Sequence, residues 1–255
     1  MDTGFGPALK DWRNRRRMSQ LNLSGVANVS ARHIAFLETG RARPSRMMVL
    51  QLSEALEVPR IERNALLKAA GFASAYRARE FEDAEMSGIR AAVDWTLSRH
   101  APYPALALDR HWRIVSLNGP GAALVGFVGL KQGDSLIDAF LTEGPLWQSI
   151  ENKTETAMHL AARLRTESAH LGGDAILDAA AAKIALRVMP GAWSGGAELP
   201  PVVPTRIVAG GMHLSLFSTI AQFGTAEDVA LADLRIELFF PANEATRQTF
   251  EAMAR

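Results

Sequence analysis

The sequence predicts two domains of different fold class: an all-helical N-terminal domain and an α+β C-terminal domain built on an antiparallel sheet. Apolar residues recur at helical spacing through five short segments of residues 1–75, whereas helical and strand-like segments are mixed beyond residue 89. Residues 1–79 carry 14 Lys and Arg against 6 Asp and Glu, and residues 80–255 carry 14 against 21. A basic domain joined to an acidic one is typical of a polyanion-binding module attached to a second functional unit.

Composition narrows the class of protein further. A chain of 255 residues that is 48% hydrophobic is long enough for two domains with cores of their own. The absence of cysteine excludes disulfides, thiolate catalysis and cysteine-ligated metal sites, and it fits a reducing cytoplasm. The N-terminal stretch lacks the apolar core of a signal peptide, and no apolar run approaches the roughly 20 residues that span a bilayer. We therefore expect a cytoplasmic protein with no membrane partner.

Two short helices near the N-terminus are separated by a tight turn. Ser19 is the predicted N-cap of the first of them, with Leu23 and Val26 expected to face the core. Asn28 follows, and asparagine tolerates the left-handed backbone better than other non-glycine residues. We expect the chain to turn there.

The second helix of this pair and the segments after it carry their own start and stop signals. Ser30 caps the helix and Gly40 ends it in the position that glycine favours. Pro44 and Ser45 open a fourth helix, and a fifth ends at Gly71. Residues 1–75 thus predict a five-helix domain that contains a helix-turn-helix.

A helix-turn-helix places the N-terminal residues of its second helix against base edges in the major groove. Arg32 can donate two hydrogen bonds to guanine, and Ala31 can contact a thymine methyl group. Gln20, at the start of the preceding helix, can meet a phosphate. The predicted DNA contacts are Gln20, Ser30, Ala31, Arg32, His33, Phe36, Arg41, Arg43 and Arg46. The alternative is a solvated basic surface on an ordinary helical domain.

Three segments of this domain carry a family resemblance: LKDWRNRRRMSQLNL, NVSARHIAFLETGRARPSRMMVLQLSEALEVP and ERNALLKAAGF. They resemble the Xre-type, lambda-repressor-like helix-turn-helix of bacterial repressors and, more closely, the MmyB-like transcription regulators. The resemblance implies double-stranded DNA as partner and an ion pair between Arg13 and Glu38. Independently of it, Glu38 is the only acidic residue between Ser19 and Leu52. The chain departs from the family at Asn28, where the family usually has glycine.

Residues 76–88 are polar and charged, which predicts a linker to a C-terminal domain at 89–255. Two strands, then helices, then three strands predict an antiparallel sheet with helices on one face, the arrangement of PAS-like sensor domains. The segments PYPALALDRHWRIVSLN, SLFSTIAQFGTAEDVALADLRIELFFPA and NEATRQTFEAM resemble the ligand-binding domain of the same MmyB-like regulators. That resemblance implies a ligand-responsive protein and names no ligand.

Aromatic side chains and a few polar ones in this domain are candidates to line a ligand pocket, since such pockets combine apolar walls with a few orienting groups. The candidates are Trp112, Asn118, Phe127, Trp147, Phe217, Thr219 and Phe223. We expect a small apolar or amphipathic ligand, with a fatty-acid-like molecule as one candidate, and a homodimer. The alternative is a C-terminal domain that serves only for oligomerisation or partner binding, with these aromatics filling its core.

Catalytic and cofactor motifs are missing from the sequence. It contains no P-loop, GxGxxG, GxSxG or HExxH pattern. His159 and His170 lie eleven residues apart on one predicted helix, about 16 Å at 1.5 Å per residue, too far to share a metal ion. Asp109 beside His111 fits a turn that uses the aspartate for local hydrogen bonds. We expect no enzymatic activity, no metal site and no cofactor.

Overall fold

The computed structural model describes residues 4–76, 81, 83–187, 202–223, 231 and 233–254, and the chain divides into two compact units. Each unit is described by itself. In the first, the helices are α1 (Phe5–Arg15), α2 (Gln20–Ala27), α3 (Ala31–Glu38), α4 (Arg46–Ala55) and α5 (Arg60–Ala69). The predicted five-helix domain is confirmed.

Serine caps begin three of these helices. The hydroxyls of Ser19, Ser30 and Ser45 each accept a hydrogen bond from the backbone N–H three residues on, at 3.0, 3.2 and 3.1 Å. Asn28 ends α2 with φ +50°, and Gly40 follows α3 with φ +73°. The turn between α2 and α3 and the end of α3 therefore lie where the local residue chemistry predicted them.

Apolar side chains from all five helices form one core in the first unit. Leu9, Leu23, Leu37 and Leu52 are each at most 1% exposed. The expectation that Val26 faces inward is wrong, because its side chain is 62% exposed. Leu23 and Ala27, four residues apart, are instead the buried pair of α2.

The second unit contains a five-stranded sheet and helices around it. A 3₁₀ turn at Ala84–Met86 leads into α6 (Ser87–Arg99), β1 (Ala105–Leu108), β2 (Ile114–Leu117), α7 (Gly119–Gly126), α8 (Leu136–Leu141), α9 (Pro145–Ser149), α10 (Lys153–His170), α11 (Ala175–Ala185), β3 (Thr205–Ala209), β4 (Met212–Gln222), β5 (Arg235–Pro241) and α12 (Glu244–Met253). All strand pairs are antiparallel, in the order β2-β1-β5-β4-β3. The predicted α+β class, with an antiparallel sheet and helices packed on it, is confirmed.

Helices cover both faces of this sheet. On one face, Ala105 and Ala107 of β1 pack in a cluster with Val93 and Leu97 of α6. On the other, Leu124 of α7 packs with apolar residues of β4. The expectation that the helices share one face is therefore wrong. The physical reason is visible in β1, an unbroken apolar strand that is buried at every position, as strands covered on both sides are.

Part of the linker predicted at 76–88 lies outside the described residues, namely 77–80 and 82. Within the described part of the chain, no helix is long and apolar enough to cross a membrane.

Candidate DNA-binding surface and ligand cavity

The N-terminal half of α3 presents the predicted base-reading side chains. Ser30 caps the helix, and Arg32 two residues later is exposed. The Arg32 guanidinium lies 5.3 Å from the centroid of the Phe36 ring, one turn along the same helix. Ala31 and His33 are partly exposed beside it. These residues form a continuous surface at the start of the helix, the position from which a recognition helix contacts bases.

Three exposed arginines follow the end of α3. Arg41, Arg43 and Arg46 are solvent-facing, and none of them forms an ion pair within the described residues. The loop is closed onto the helix by the backbone N–H groups of Arg41 and Ala42, which donate to the Phe36 carbonyl at 2.8 and 3.1 Å. Uncompensated guanidinium groups on an ordered loop are suited to bind phosphate oxygens.

A buried ion pair joins α1 to α3 beneath this surface. Nε and Nη2 of Arg13 donate to the two carboxylate oxygens of Glu38 at 2.6 and 3.0 Å, with side-chain exposures of 10% and 3%. Burial by itself would raise the pKa of Glu38, but the hydrogen bonds from Arg13 and Gln20 lower it below the ordinary value. The pair therefore stays ionised and holds α3 at a defined position.

Gln20 connects this ion pair to the predicted DNA surface. Its side-chain nitrogen donates to Oε2 of Glu38 at 2.8 Å. A glutamine amide has two hydrogens, so the second remains available to a phosphate. Gln20 is thus both a partner of the ion pair and a candidate phosphate ligand.

A cavity of about 510 Å³ lies within the second unit, between the sheet and helices α7, α8 and α10. This volume is within the range of small-molecule sites. Most of its walls are aliphatic or aromatic. The lining residues are Leu106, Trp112, Leu124, Val125, Val128, Leu130, Leu136, Phe140, Leu146, Thr156, His159, Leu160, Arg163, Val202, Val203, Thr205, Ile207, Leu216, Phe217, Ser218, Glu237 and Phe239.

One corner of the cavity is charged, and we call it the polar corner: Arg163 and Glu237, which line the cavity beside Trp112, together with Glu167 and Arg235, which extend their ion pairs but do not line it. Arg163 of α10 forms ion pairs with Glu167, at 2.9 Å, and with Glu237 of β5. Glu167 also pairs with Arg235 of β5. Two cations and two anions alternate here, so the charges compensate one another.

Trp112 is held in place by this corner. Its indole N–H donates to Glu167 at 2.8 Å, and the Arg163 guanidinium lies 4.3 Å from the ring centroid. Its backbone has φ +62°, which is rare and costly for a bulky side chain. The hydrogen bond to Glu167 and the contact with Arg163 hold this side chain in the cavity wall.

Burial and the neighbouring charges shift the pKa values of two side chains at this corner, Glu167 and His159. Burial would raise the pKa of Glu167, but the charges of Arg235 and Arg163 outweigh it and lower that pKa. The pKa of His159 is lowered, first by burial and then by the Arg163 charge. At neutral pH His159 is therefore uncharged, while Glu167 remains ionised.

Of the seven predicted ligand residues, Trp112 and Phe217 border the cavity. Phe217 pairs with Phe240 across β4 and β5, and their rings stack at 5.5 Å. Leu216 and Ser218, the neighbours of Phe217 in β4, also border the cavity. Because successive residues of a strand face opposite sides of the sheet, the Phe217 side chain points to the other face. Of Trp112 and Phe217, only Trp112 has side-chain contacts that hold it in the cavity wall.

The other five predicted residues do not line the cavity. Phe127 is 46% exposed, and Trp147 is buried under the Arg187 guanidinium, 4.6 Å from its ring. Thr219 is exposed, and Phe223 packs with the cluster on the α6 face of the sheet.

Asn118 has a structural role. Its side-chain oxygen accepts from the N–H groups of Ala105 and Gly121, at 3.0 and 2.8 Å, and its amide donates to the carbonyls of Leu97 and Tyr103. All four hydrogen-bonding sites are used, so none is left for a ligand.

The sequence-based reasoning missed the charged residues of the cavity. Arg163 and Glu167 have the helical i,i+4 spacing of an ion pair, and Glu237 is a lone acid in the apolar run LRIELFFP. Neither pattern indicates a cavity residue by itself, because α10 and β5 meet only in the folded sheet. The Asp109 turn was predicted correctly: its carboxylate accepts from the backbone N–H of His111 and Arg113. Among the described residues, no group of His, Asp and Glu is arranged to hold a metal ion.

A helix-turn-helix unit followed by an α+β unit with an apolar cavity is the architecture of a DNA-binding transcription regulator with a ligand-binding domain. Residues 5–66 match the helix-turn-helix domain family, and residues 89–253 match the family described as MmyB-like transcription regulator ligand binding domain. The second match spans more than half of the chain, which therefore belongs to the MmyB-like transcription regulators. Both families are those of regulators, in agreement with the expectation of a non-enzymatic protein.

Among solved structures, the chain is similar to the PAS domain of Bordetella pertussis BvgS. The identity is 12%, over 68% of this chain and 96% of that one, with a TM-score of 0.29. No curated protein matches the chain.

Proposed function

We propose that this transcription regulator is controlled by a small apolar or amphipathic molecule held in the cavity of its second unit. The observation that carries the proposal is the cavity itself. Its volume of about 510 Å³ lies between sheet and helices, with mostly apolar walls and one polar corner. A domain that served only for oligomerisation would have no need of such a space, and well-packed cores contain few voids larger than a water molecule.

We further propose that the exposed side chains of α3 read bases and that the arginines after it bind phosphates. This proposal is supported by the exposure of Arg32, beside Ala31 and His33, since an exposed arginine can donate two hydrogen bonds to guanine. Arg41 and Arg43 lie on the loop that follows α3, where contacts to the DNA backbone set position without reading sequence.

The regulator acts as a homodimer in this proposal. One helix-turn-helix buries too little surface for tight specific binding, so two copies reading half-sites about one helical turn apart are expected. A ligand changes DNA affinity if it binds one arrangement of the two DNA-binding units better than another. Coupling of about 1–3 kcal/mol, or roughly 5–150-fold in affinity, is ordinary for such regulators.

Filling the cavity tests this function. Leu160→Trp adds bulk from α10 into the cavity, and Leu186→Trp, at a side chain that is 86% exposed, is the matched control. Nile red, an uncharged apolar dye, reports occupancy by fluorescence. A DNA duplex selected from a randomised pool, titrated with and without a total lipid extract, reports the effect on DNA binding.

We expect Leu160→Trp to weaken dye binding at least tenfold and to abolish the effect of the extract, while ligand-free DNA binding is retained. Leu186→Trp should behave as the wild type. Equal dye binding by the wild type and both variants, with no effect of the extract on the DNA binding of any of the three, would contradict the proposal. The second unit would then serve for oligomerisation or partner binding.

A further inference from the structure

We propose that the polar corner of the cavity is the head-group subsite of the ligand, and that it selects an uncharged head that both donates and accepts a hydrogen bond. A hydroxyl or a primary amide fits this description, whereas a carboxylate or an ammonium group does not. The inference rests on the proposed function, since it concerns the molecule held in the same cavity.

The two corner residues that line the cavity offer it one free donor and one free acceptor, whereas the unpartnered Nε of Arg235 is fully buried behind them. Nε and Nη2 of Arg163 are taken by Glu167 and Glu237, while Nη1 has no hydrogen-bond partner within the described residues. Oε1 of Glu237 is taken by Arg163, while Oε2 has no partner among them. Neither free atom is sealed in the packed protein, and both residues line the cavity.

Glu237 is the more constrained of the two residues. Its side chain is 4% exposed, and that of Arg163 is 17% exposed. The free oxygen of this largely buried carboxylate is still accessible, so it can accept a hydrogen bond from a group held in the cavity. A ligand hydroxyl or amide N–H supplies that donor, and its oxygen accepts from Nη1 of Arg163.

Charge compensation in the corner opposes an ionised head. Arg163 and Arg235 balance Glu167 and Glu237, and Trp112 adds no charge. His159, in the same wall, is neutral at neutral pH because burial and Arg163 lower its pKa. A ligand carboxylate or ammonium would therefore bring one unbalanced charge into a poorly solvated site, which is expensive.

A series of ligands with one chain and different heads tests the selection. Dodecan-1-ol, dodecanamide, methyl dodecanoate, dodecanoate and dodecylamine displace Nile red from the full-length protein at about pH 7, where the acid and the amine are ionised. Each is used below the concentration at which it aggregates. We expect the alcohol and the amide to bind at least tenfold more tightly than the other three.

Changing the charge of the corner should change the order of preference. Glu237→Gln keeps the side-chain size and leaves one unbalanced positive charge, so dodecanoate should gain at least tenfold relative to dodecan-1-ol. Arg163→Gln leaves one unbalanced negative charge and should favour dodecylamine instead. The matched control is Glu244→Gln, which removes an exposed acid of α12 outside the cavity and should leave the order unchanged.

Tight binding of dodecanoate by the wild type, equal to or above that of the alcohol, would overturn the selection while leaving the proposed function intact. An unchanged order in both corner variants would overturn it as well, since the head would then lie elsewhere. Failure of the dye and of every member of the series to bind would overturn the proposed function together with this inference.

Discussion

Replacing Glu38 by glutamine should destabilise the DNA-binding unit far more than a change of one surface charge. Glutamine has nearly the same shape but lacks the charge, so the substitution isolates the electrostatic part of the contact. It leaves the Arg13 guanidinium, 10% exposed, without a compensating charge. The carboxylate that is lost accepts two hydrogen bonds from Arg13 and one from Gln20.

The magnitude follows from that burial. Removing one partner of a buried ion pair costs about 3–5 kcal/mol, because the other charge remains in the protein interior. A domain is stable by about 5–15 kcal/mol in total, so the loss is a large part of the whole. The pair between Arg15 and Asp11 of α1 is the matched control, since its side chains are 41% and 56% exposed. For Asp11→Asn we expect a loss of at most about 0.5 kcal/mol.

The assay is urea unfolding of the full-length protein labelled with fluorotryptophan and followed by fluorine NMR. Trp12 is the only tryptophan within residues 1–76, so its signal reports the unfolding of the first unit. A double variant, Arg13→Leu with Glu38→Leu, should recover part of the stability because no charge is left buried. A loss for Glu38→Gln no larger than that for Asp11→Asn would refute this reasoning.

The same contact has a defined dependence on pH. The pKa of Glu38 is lower in the folded protein than in the unfolded chain, so the folded state favours the ionised form. Its contribution to stability is complete above the ordinary glutamate pKa of about 4.3 and disappears as the pH falls through the lowered value. The difference in unfolding free energy between wild type and Glu38→Gln should therefore shrink in acid; a constant difference down to about pH 2 would contradict this sign.

Three further predictions concern DNA binding, assembly and the fold of the second unit. Arg32→Ala should cost about 1–3 kcal/mol on the selected duplex and little on a scrambled one, whereas Arg43→Ala should weaken both alike; equal losses on both duplexes for Arg32→Ala would exclude base reading. Sedimentation at micromolar concentration should show a dimer, free and on DNA, and a monomer in both states would contradict the proposed assembly. Asn118→Ala should lower the unfolding free energy of the second unit by more than about 3 kcal/mol, because four backbone groups each lose a hydrogen bond and three of those bonds are fully buried, while Thr219→Ala at an exposed site should change it by less than about 0.5 kcal/mol.

The features that could be predicted from the sequence are those determined by near neighbours along the chain. The Ser30 cap involves atoms three residues apart, and the left-handed Asn28 and Gly40 are set by the backbone preferences of single residues. The helix-turn-helix consists of such local signals, so the pattern of residues alone predicts its elements and its exposed basic side chains. Val26 was the exception, since which side of a short helix is buried depends on the helices packed around it.

By itself, the sequence determined the two fold classes, the order of helices and strands, and the exposed basic side chains of the helix-turn-helix, because each depends on residues a few positions apart. Only the tertiary structure decided which side chains meet in the cavity. Arg163 and Glu237 are 74 residues apart, and they meet because β5 pairs between β1 and β4 with Glu237 on the side of α10. Phe217 turns to the opposite face by the same two-residue period of the strand. The register of a sheet and the packing of helices on it bring residues from distant parts of the sequence into contact, and no local sequence pattern predicts which residues will meet.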